Sequence, residues 1–358
     1  MNSIERRNQS ILGMWLMICC VVLLILVVVG GATRLTGSGL SMVEWQPVTG
    51  FIPPMNEETW MQEFDAYRAS PEYQKLNYGM SLAEFKVIYW WEFGHRLLAR
   101  GLGLVFALPL VWFWWRGIIP PRLRWPLVGL LVLGGLQGYM GWYMVQSGLV
   151  DIPRVSPYRL AAHLTLALII FAIMFRLAMG LLWPAPPRRE ASRWRGWTMA
   201  LLALASITIV SGAFVAGLHA GLVYNTFPLM AGRWIPDGIL GLEPMWRNFF
   251  ENTATVQFTH RVLALTTLAV TLIIWFRVWK READPVIRRT FHVLAAVAMG
   301  QVTLGIATLL MYVPVTLGTI HQGGAVILLS AILSADYVVS RQRDRVPETA
   351  HSGRLAAT

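Results

Sequence analysis

Eight apolar runs of about twenty residues or more recur along the chain, and they constrain its fold more than any other feature. A helix of that length crosses the hydrocarbon core of a bilayer. Inside the core the backbone finds no water, so only helices or closed barrels can span it. The runs read as spans at roughly residues 12–31, 92–115, 125–147, 158–182, 196–217, 254–279, 289–312 and 315–340. Hydrophobic residues make up 56% of the chain and charged residues 14%, against about 25% charged in soluble domains. A soluble enzyme, a secreted disulfide scaffold and a disordered chain are excluded. The fold class is an all-α polytopic membrane protein.

The formal charge of +11 does not point to nucleic acid, because the basic residues lie in short clusters between apolar runs and form no continuous face. They set the topology instead. Alternate connections carry Arg116, Arg122 and Arg124, then Arg188, Arg189, Arg193 and Arg195, then Arg277, Lys280, Arg281, Arg288 and Arg289, and the tail carries Arg341, Arg343 and Arg345. The intervening connections are acidic or nearly uncharged: 56–72 holds Glu57, Glu58, Glu63, Asp65 and Glu72. The positive-inside rule then puts both termini in the cytoplasm, and every even-numbered span runs from outside to inside. The first run follows Arg6 and Arg7 but exceeds a signal-peptide core in length, and the segment before it does not resemble a mitochondrial transit peptide. A multi-pass protein of a bacterial inner membrane is expected. Cys19 and Cys20 are adjacent within the first run, where they cannot pair as an ordinary disulfide, and they read as small packing residues.

Two outer loops are long, at about 32–91 and 218–253, and loops of that length are expected to cap a site. The first holds Pro53-Pro54, an amphipathic helix near 57–69 and the capping-box pattern Ser81-Leu82-Ala83-Glu84.

The halves repeat. Glu92-Phe93-Gly94-His95-Arg96 aligns with Gln257-Phe258-Thr259-His260-Arg261, and Gln137-Gly138-Tyr139-Met140-Gly141 aligns with Gln301-Val302-Thr303-Leu304-Gly305. Pro47 and Pro53 flank Gly50 much as Pro228 and Pro236 flank Gly232. An even number of spans per half makes this a parallel repeat about an axis along the membrane normal. The expected architecture is two pseudosymmetric four-helix bundles, residues 1–187 and 188–358.

His95, His163, His260 and His321 fall near the outer ends of the second, fourth, sixth and eighth spans. Each half therefore offers two imidazoles at one depth on separate helices, as a bis-histidine haem requires. Intramembrane ionisable groups are costly and usually functional, and four at one depth favour ligation over packing. Zinc fits less well, since it calls for three or four ligands per site. Gly94, Gly134, Gly135, Gly138, Gly141, Gly300 and Gly305 would let backbones make room for a ring. His219, in an outer loop, and His351, in the tail, read as solvated. Arg96 and Arg261 either pair with haem propionates or snorkel to the interface. Arg34 and Arg159 are weaker propionate candidates. Tyr89, Trp90, Trp91, Trp142 and Tyr143 read as an interfacial belt.

One position breaks the repeat. Glu92 lies one turn before His95, on the same helix face, and its counterpart is Gln257. A carboxylate in such surroundings does chemistry or pairs with a cation, and Arg96 is the available cation. The asymmetry suggests that the first half reacts while the second relays electrons.

At these residues the chain resembles the haem A synthase family, in its alphaproteobacterial and mitochondrial branch. The resemblance covers nearly the whole length, from Gly30-Gly31-Ala32-Thr33-Arg34-Leu35-Thr36-Gly37-Ser38-Gly39-Leu40-Ser41 to His321-Gln322. It includes Ser70-Pro71-Glu72-Tyr73, Glu92-x-x-His95-Arg96 and Ala220-Gly221-Leu222-Val223-Tyr224-Asn225-Thr226-Phe227-Pro228. It implies oxidation of a ring methyl of haem O to a formyl group, giving haem A for terminal oxidases. By the same resemblance His260 and His321 hold a resident haem b, His95 and His163 hold the substrate haem O, and Glu92 is the catalytic carboxylate. Substrate would enter laterally from the membrane lipid. The implied partners are a haem O synthase, oxidase assembly factors and an electron acceptor. The cysteine pair that many bacterial relatives carry in the first outer loop is missing, so no thiol-based electron entry is expected there. Some relatives have an acidic residue where His219 stands, which argues against ligation by it.

Two other readings compete. A di-haem b electron carrier accounts for the histidines but leaves the Glu92/Gln257 difference idle. A transporter built from parallel repeats would call for helices broken near the midplane, and these runs read as continuous.

Overall fold

The structure is a computed structural model that describes residues 3–45, 50–150, 152–185 and 192–341. Pro47, Arg188, Arg189, Arg343, Arg345 and His351 lie outside the described residues. The helices are α1 (Ser3–Leu35), α2 (Glu57–Arg68), α3 (Pro71–Lys75), α4 (Leu82–Trp115), α5 (Pro121–Gln146), α6 (Pro157–Leu182), α7 (Arg195–Gly217), α8 (Asn248–Glu251), α9 (Thr253–Arg281), α10 (Pro285–Leu310) and α11 (Val315–Ser340). Eight of them are long and apolar enough to cross a membrane. Among the described residues there is no strand beyond an isolated bridge between Met230 and Arg233.

Local chemistry sets the helix starts. Pro121, Pro157 and Pro285 open α5, α6 and α10, where a missing N–H costs nothing. The side chains of Asn252 and Asp284 accept the first N–H groups of α9 and α10. Ser81 and Glu84 form the expected capping box, with Glu84 Oε2 2.8 Å from the Ser81 N–H.

In the first half α1 packs on α4 and α6, and α5 packs on α6 and, over a smaller area, on α4. In the second half α7 packs on α9 and α11, and α10 on α9 and α11. The halves meet where α1 packs on α11 and α6 packs on both α7 and α11. One apolar core runs along α1, α4, α5 and α6 and reaches α11 at Val326, Leu329 and Leu333; a second fills α7, α9, α10 and α11. Cys19 and Cys20 are free thiols, both buried in the first core. Outward positions such as Leu108, Val111 and Val132 are exposed apolar residues, as lipid contact requires.

The main departure from expectation is at α4, which begins at Leu82, ten residues before the expected span. Its added turns carry Phe85, Ile88 and Tyr89 into a small separate core with Met42, Trp60, Phe64, Tyr67 and Tyr73. This core glues α2 and α3 onto α4 as a cap. Tyr89, expected in an interfacial belt, is 2% exposed within it, whereas Trp90 and Trp91 are exposed.

Candidate functional site

Each of the four histidines rests on a glycine of the neighbouring long helix. A Cβ at Gly30 of α1 would stand 2.9 Å from His95 Nε2, and at Gly141 of α5 it would stand 3.2 Å from His163 Cε1. At Gly212 of α7 and Gly305 of α10 the corresponding distances are 3.0 Å to His260 Cε1 and 2.8 Å to His321 Cε1. These four glycines all lie five residues before the last residue of their helix (Leu35, Gln146, Gly217 and Leu310). The repeat is therefore finer than two halves: a glycine near a helix end seats an imidazole from the next long helix, four times over. Of the glycines expected to make room, Gly141 and Gly305 do so at a histidine, while a Cβ at Gly94, Gly134, Gly135, Gly138 or Gly300 would meet nothing within 4 Å.

The histidines are close enough to interact in pairs, His95 with His163 and His260 with His321. Among the described residues no group of three or more His, Cys, Asp and Glu side chains gathers as a metal site would. Glutamines fix two of the four. Gln137 Nε2 donates to the His163 carbonyl at 3.1 Å and lies 3.2 Å from its Nδ1, and Gln301 Nε2 donates to the His321 carbonyl at 2.9 Å. Ser211 Oγ meets His260 Nδ1 at 2.8 Å, a contact that leaves Nε2 uninvolved. His321 Nδ1 is buried with no partner. The sequence repeat marks Gln137 and Gln301 but not their partners.

Glu92 is 3% exposed and fully engaged. Its Oε2 accepts from Ser41 Oγ at 2.7 Å and from the Met42 N–H at 2.9 Å, and its Oε1 accepts from Arg96 Nη2 at 2.6 Å. Arg96 also donates to the carbonyls of Met42 at 3.0 Å and Glu44 at 3.1 Å. The second half builds the same clamp with different chemistry. Arg261 donates to the carbonyls of Tyr224 at 2.7 Å and Thr226 at 2.8 Å, and Gln257 Nε2 donates to the Tyr224 carbonyl at 3.1 Å. Both arginines thus tie a long loop to the helix bearing the histidine. Arg261 Nε, Gln257 Oε1 and Arg34 Nη2 are buried without partners. Arg159 stacks on Tyr143, 3.7 Å from its ring centroid.

Three further residues complete the picture. Glu72 of α3 is 7% exposed, its Oε2 accepts from the Tyr67 hydroxyl at 3.1 Å, and Asn77 Nδ2 donates to that hydroxyl at 2.7 Å. Burial pushes its carboxyl up to about 7; the Tyr67 hydroxyl opposes this and the Glu92 charge adds to it. His219 is exposed. His292, unmarked in the sequence reading, accepts from the Trp275 indole N–H at 2.8 Å.

A family model described as cytochrome oxidase assembly protein matches residues 13–333. The Heme A synthase of Rhodospirillum centenum is 48% identical over 339 residues, which is 94% of this chain and 89% of its own length. That of Agrobacterium fabrum is 50% identical over 330 residues, 91% of this chain and 89% of its own length. The Arabidopsis thaliana protein of that name is 46% identical over 345 residues, 93% of this chain and 75% of its own length. The chain belongs to the haem A synthase family.

The segments carrying the haem A synthase resemblance have definable work in this fold. The stretch from Gly30 to Ser41 begins at the seat of His95, passes through a hydrogen bond of 3.2 Å from Thr33 Oγ1 to the Trp91 carbonyl, and ends on Glu92. The stretch from Ala220 to Pro228 supplies the carbonyls that Arg261 and Gln257 hold. Gln322, beside His321, donates to the Val27 carbonyl of α1 at 3.0 Å and joins the halves.

Proposed function

We propose that the chain converts haem O to haem A as an intramembrane oxidoreductase, oxidising a ring methyl to a formyl group. The observation that carries this reading is the combination of two glycine-seated histidine pairs with a carboxylate beside one pair and an amide beside the other. Two equivalent electron-carrying sites would have no use for that difference.

The donor set fits the group. Two imidazoles on separate helices suit a six-coordinate haem iron, and the unpartnered Arg34 Nη2 and Arg261 Nε would be satisfied by propionate carboxylates. In this reading His260 and His321 would hold haem b, which would supply one-electron transfer when bound, and His95 and His163 would hold haem O. Arg96 and Arg261 position the outer loops over the sites through bonds to loop carbonyls. Gln137 and Ser211 orient the rings of His163 and His260. Glu92 Oε2, facing Ser41 and the Met42 N–H, takes up a proton or stabilises positive charge as the methyl carbon is oxidised. The packing of α1 on α11 mirrors that of α7 on α6, and this exchange supports two pseudosymmetric bundles, 1–187 and 188–358, about an axis through α6 and α11. The basic connections support a reading in which the chain sits in a bacterial inner membrane with both termini cytoplasmic and the histidines toward the outer side. Haem O synthase and oxidase assembly factors are the expected neighbours.

Pigment extraction from histidine variants tests the assignment. His260→Ala or His321→Ala should remove most of the tightly held haem b, because one axial ligand is lost. His95→Ala or His163→Ala should spare that haem and abolish haem A formation. Equal haem b retention in both sets would overturn the roles given to the halves.

A further inference from the structure

At the end of the bundle opposite the histidines, a cavity of about 640 Å³ opens between the start of α5 and the ends of α6 and α11. Three guanidinium groups line it, those of Arg122, Arg176 and Arg341. Arg176 and Arg341 flank the ring of Tyr337, 4.5 and 5.4 Å from its centroid. Arg176 Nη2 reaches Ser340 Oγ at 3.2 Å and Arg341 Nη1 reaches the Ala185 carbonyl at 3.2 Å, so both side chains are held at the wall. The acid whose charge reaches Arg176 is Asp336, which is buried and accepts from the Thr198 hydroxyl at 3.0 Å; Arg341 and Arg195 repel Arg176. Among the described residues, positive charge therefore exceeds negative charge at the cavity. The rest of its wall is apolar, chiefly Leu177 and Leu181 on α6.

A concave site with cations at one side and leucines at the other, at the level where a spanning bundle leaves the hydrocarbon, calls for a ligand with an anionic head and an apolar body. The volume lies in the range of small-molecule sites and suits a head group with the first part of its chains. Basic pockets between spanning helices on the cytoplasmic side bind anionic lipid head groups. We propose that this cavity seats one anionic phospholipid, its phosphate among Arg122, Arg176 and Arg341 and its chains along Leu177 and Leu181. The proposal is independent of the haem reading, since no histidine takes part.

Native mass spectrometry of the purified full chain, titrated with phosphatidylglycerol or phosphatidylcholine, tests it. Phosphatidylglycerol should bind with one tight site per chain and phosphatidylcholine should not. Arg122→Gln and Arg176→Gln should each weaken that site about 5-fold, and the double variant about 25-fold, as the loss of one surface cation each implies. Arg122→Lys should retain most of the binding. Arg122 is exposed, so its variants test the site even where Arg176→Gln fails to fold; an unchanged far-UV circular dichroism spectrum and melting temperature report folding. Equal binding of the two lipids, or an unchanged double variant, would overturn the proposal. Competition by millimolar inorganic phosphate as effective as phosphatidylglycerol would overturn the lipid assignment in favour of a free-phosphate site.

Discussion

Replacing Glu92 by Gln separates ionisation from packing only in part, and the geometry shows how much. The carboxylate accepts three hydrogen bonds, two at Oε2 from Ser41 and Met42 and one at Oε1 from Arg96, at 3% exposure for Glu92 and 12% for Arg96. A glutamine can leave its oxygen at the Oε2 position and keep both loop bonds. Its amide nitrogen then faces the Arg96 Nη2 across the 2.6 Å now bridged by an ion pair, donor against donor. The loss is one charge-assisted bond with little solvent to replace it, about 1.5–3 kcal/mol, concentrated on the 38–45 segment. Catalysis should suffer far more. Removal of a general base lowers rates by about two to four orders of magnitude. Ser41→Ala is the control, because it removes one bond of about 1 kcal/mol from the same carboxylate and leaves the charge in place. Reverse-phase analysis of extracted haems, normalised to haem retained, should show haem A nearly absent and haem O accumulated in Glu92→Gln. Ser41→Ala should stay within about tenfold of the wild type. Equal depression in both variants, or normal haem A in Glu92→Gln, would reduce Glu92 to a structural partner of Arg96.

Gly305→Ala places a methyl group 2.8 Å from His321 Cε1, so the ring must move and haem b absorbance should fall sharply. Gly300→Ala on the same helix meets nothing within 4 Å and should leave the spectrum unchanged; similar spectra for both would refute the seat. The Glu72 carboxyl has a folded-state value of about 7 against the usual 4.5, so its contribution to stability is complete below about pH 4.5 and lost as pH rises through 7. Glu72→Gln should match the wild type near pH 4.5 and gain up to ~3 kcal/mol at pH 8, and a melting difference that does not vary with pH would refute this.

Apolar run length alone made the eight spans legible, because the bilayer imposes it on sequence. The four histidines and the Glu92/Gln257 difference were legible because the repeat places them at matching positions. The seats were not. Periodicity reports which face of one helix is apolar but not which residue of a distant helix lies against it, so Gly30 and Gly212 carried no visible sign of His95 and His260. The extra turns of α4 were hidden for a similar reason. Residues 82–91 mix charge with aromatics, which reads as interface, and only the packing of Phe85 and Tyr89 against Tyr67 and Trp60 makes them a core. Arg96 and Arg261 read as propionate partners or as side chains snorkelling to the interface, yet most of their hydrogen bonds go to loop carbonyls. A guanidinium beside a long loop has many carbonyls to choose from, and sequence does not say which.

The proposed division of labour between halves would be written in the loops more than in the helices. All four histidine seats share one construction, a glycine five residues from a helix end. What differs is the group that each long loop turns toward the residue one turn before the histidine. In the first half the loop presents donors, the Ser41 hydroxyl and the Met42 N–H, and a carboxylate answers them. In the second half it presents an acceptor, the Tyr224 carbonyl, and an amide N–H answers it. Exchanging Glu and Gln alone therefore mismatches both sites. Glu92→Gln sets donor against donor at Arg96, and Gln257→Glu would set an anionic oxygen against the Tyr224 carbonyl, relieved only by Arg261. A carboxylate so placed would be destabilised at a site whose loop offers it no N–H, so one substitution would not give the second half the chemistry proposed for the first. The loop backbone has to change first.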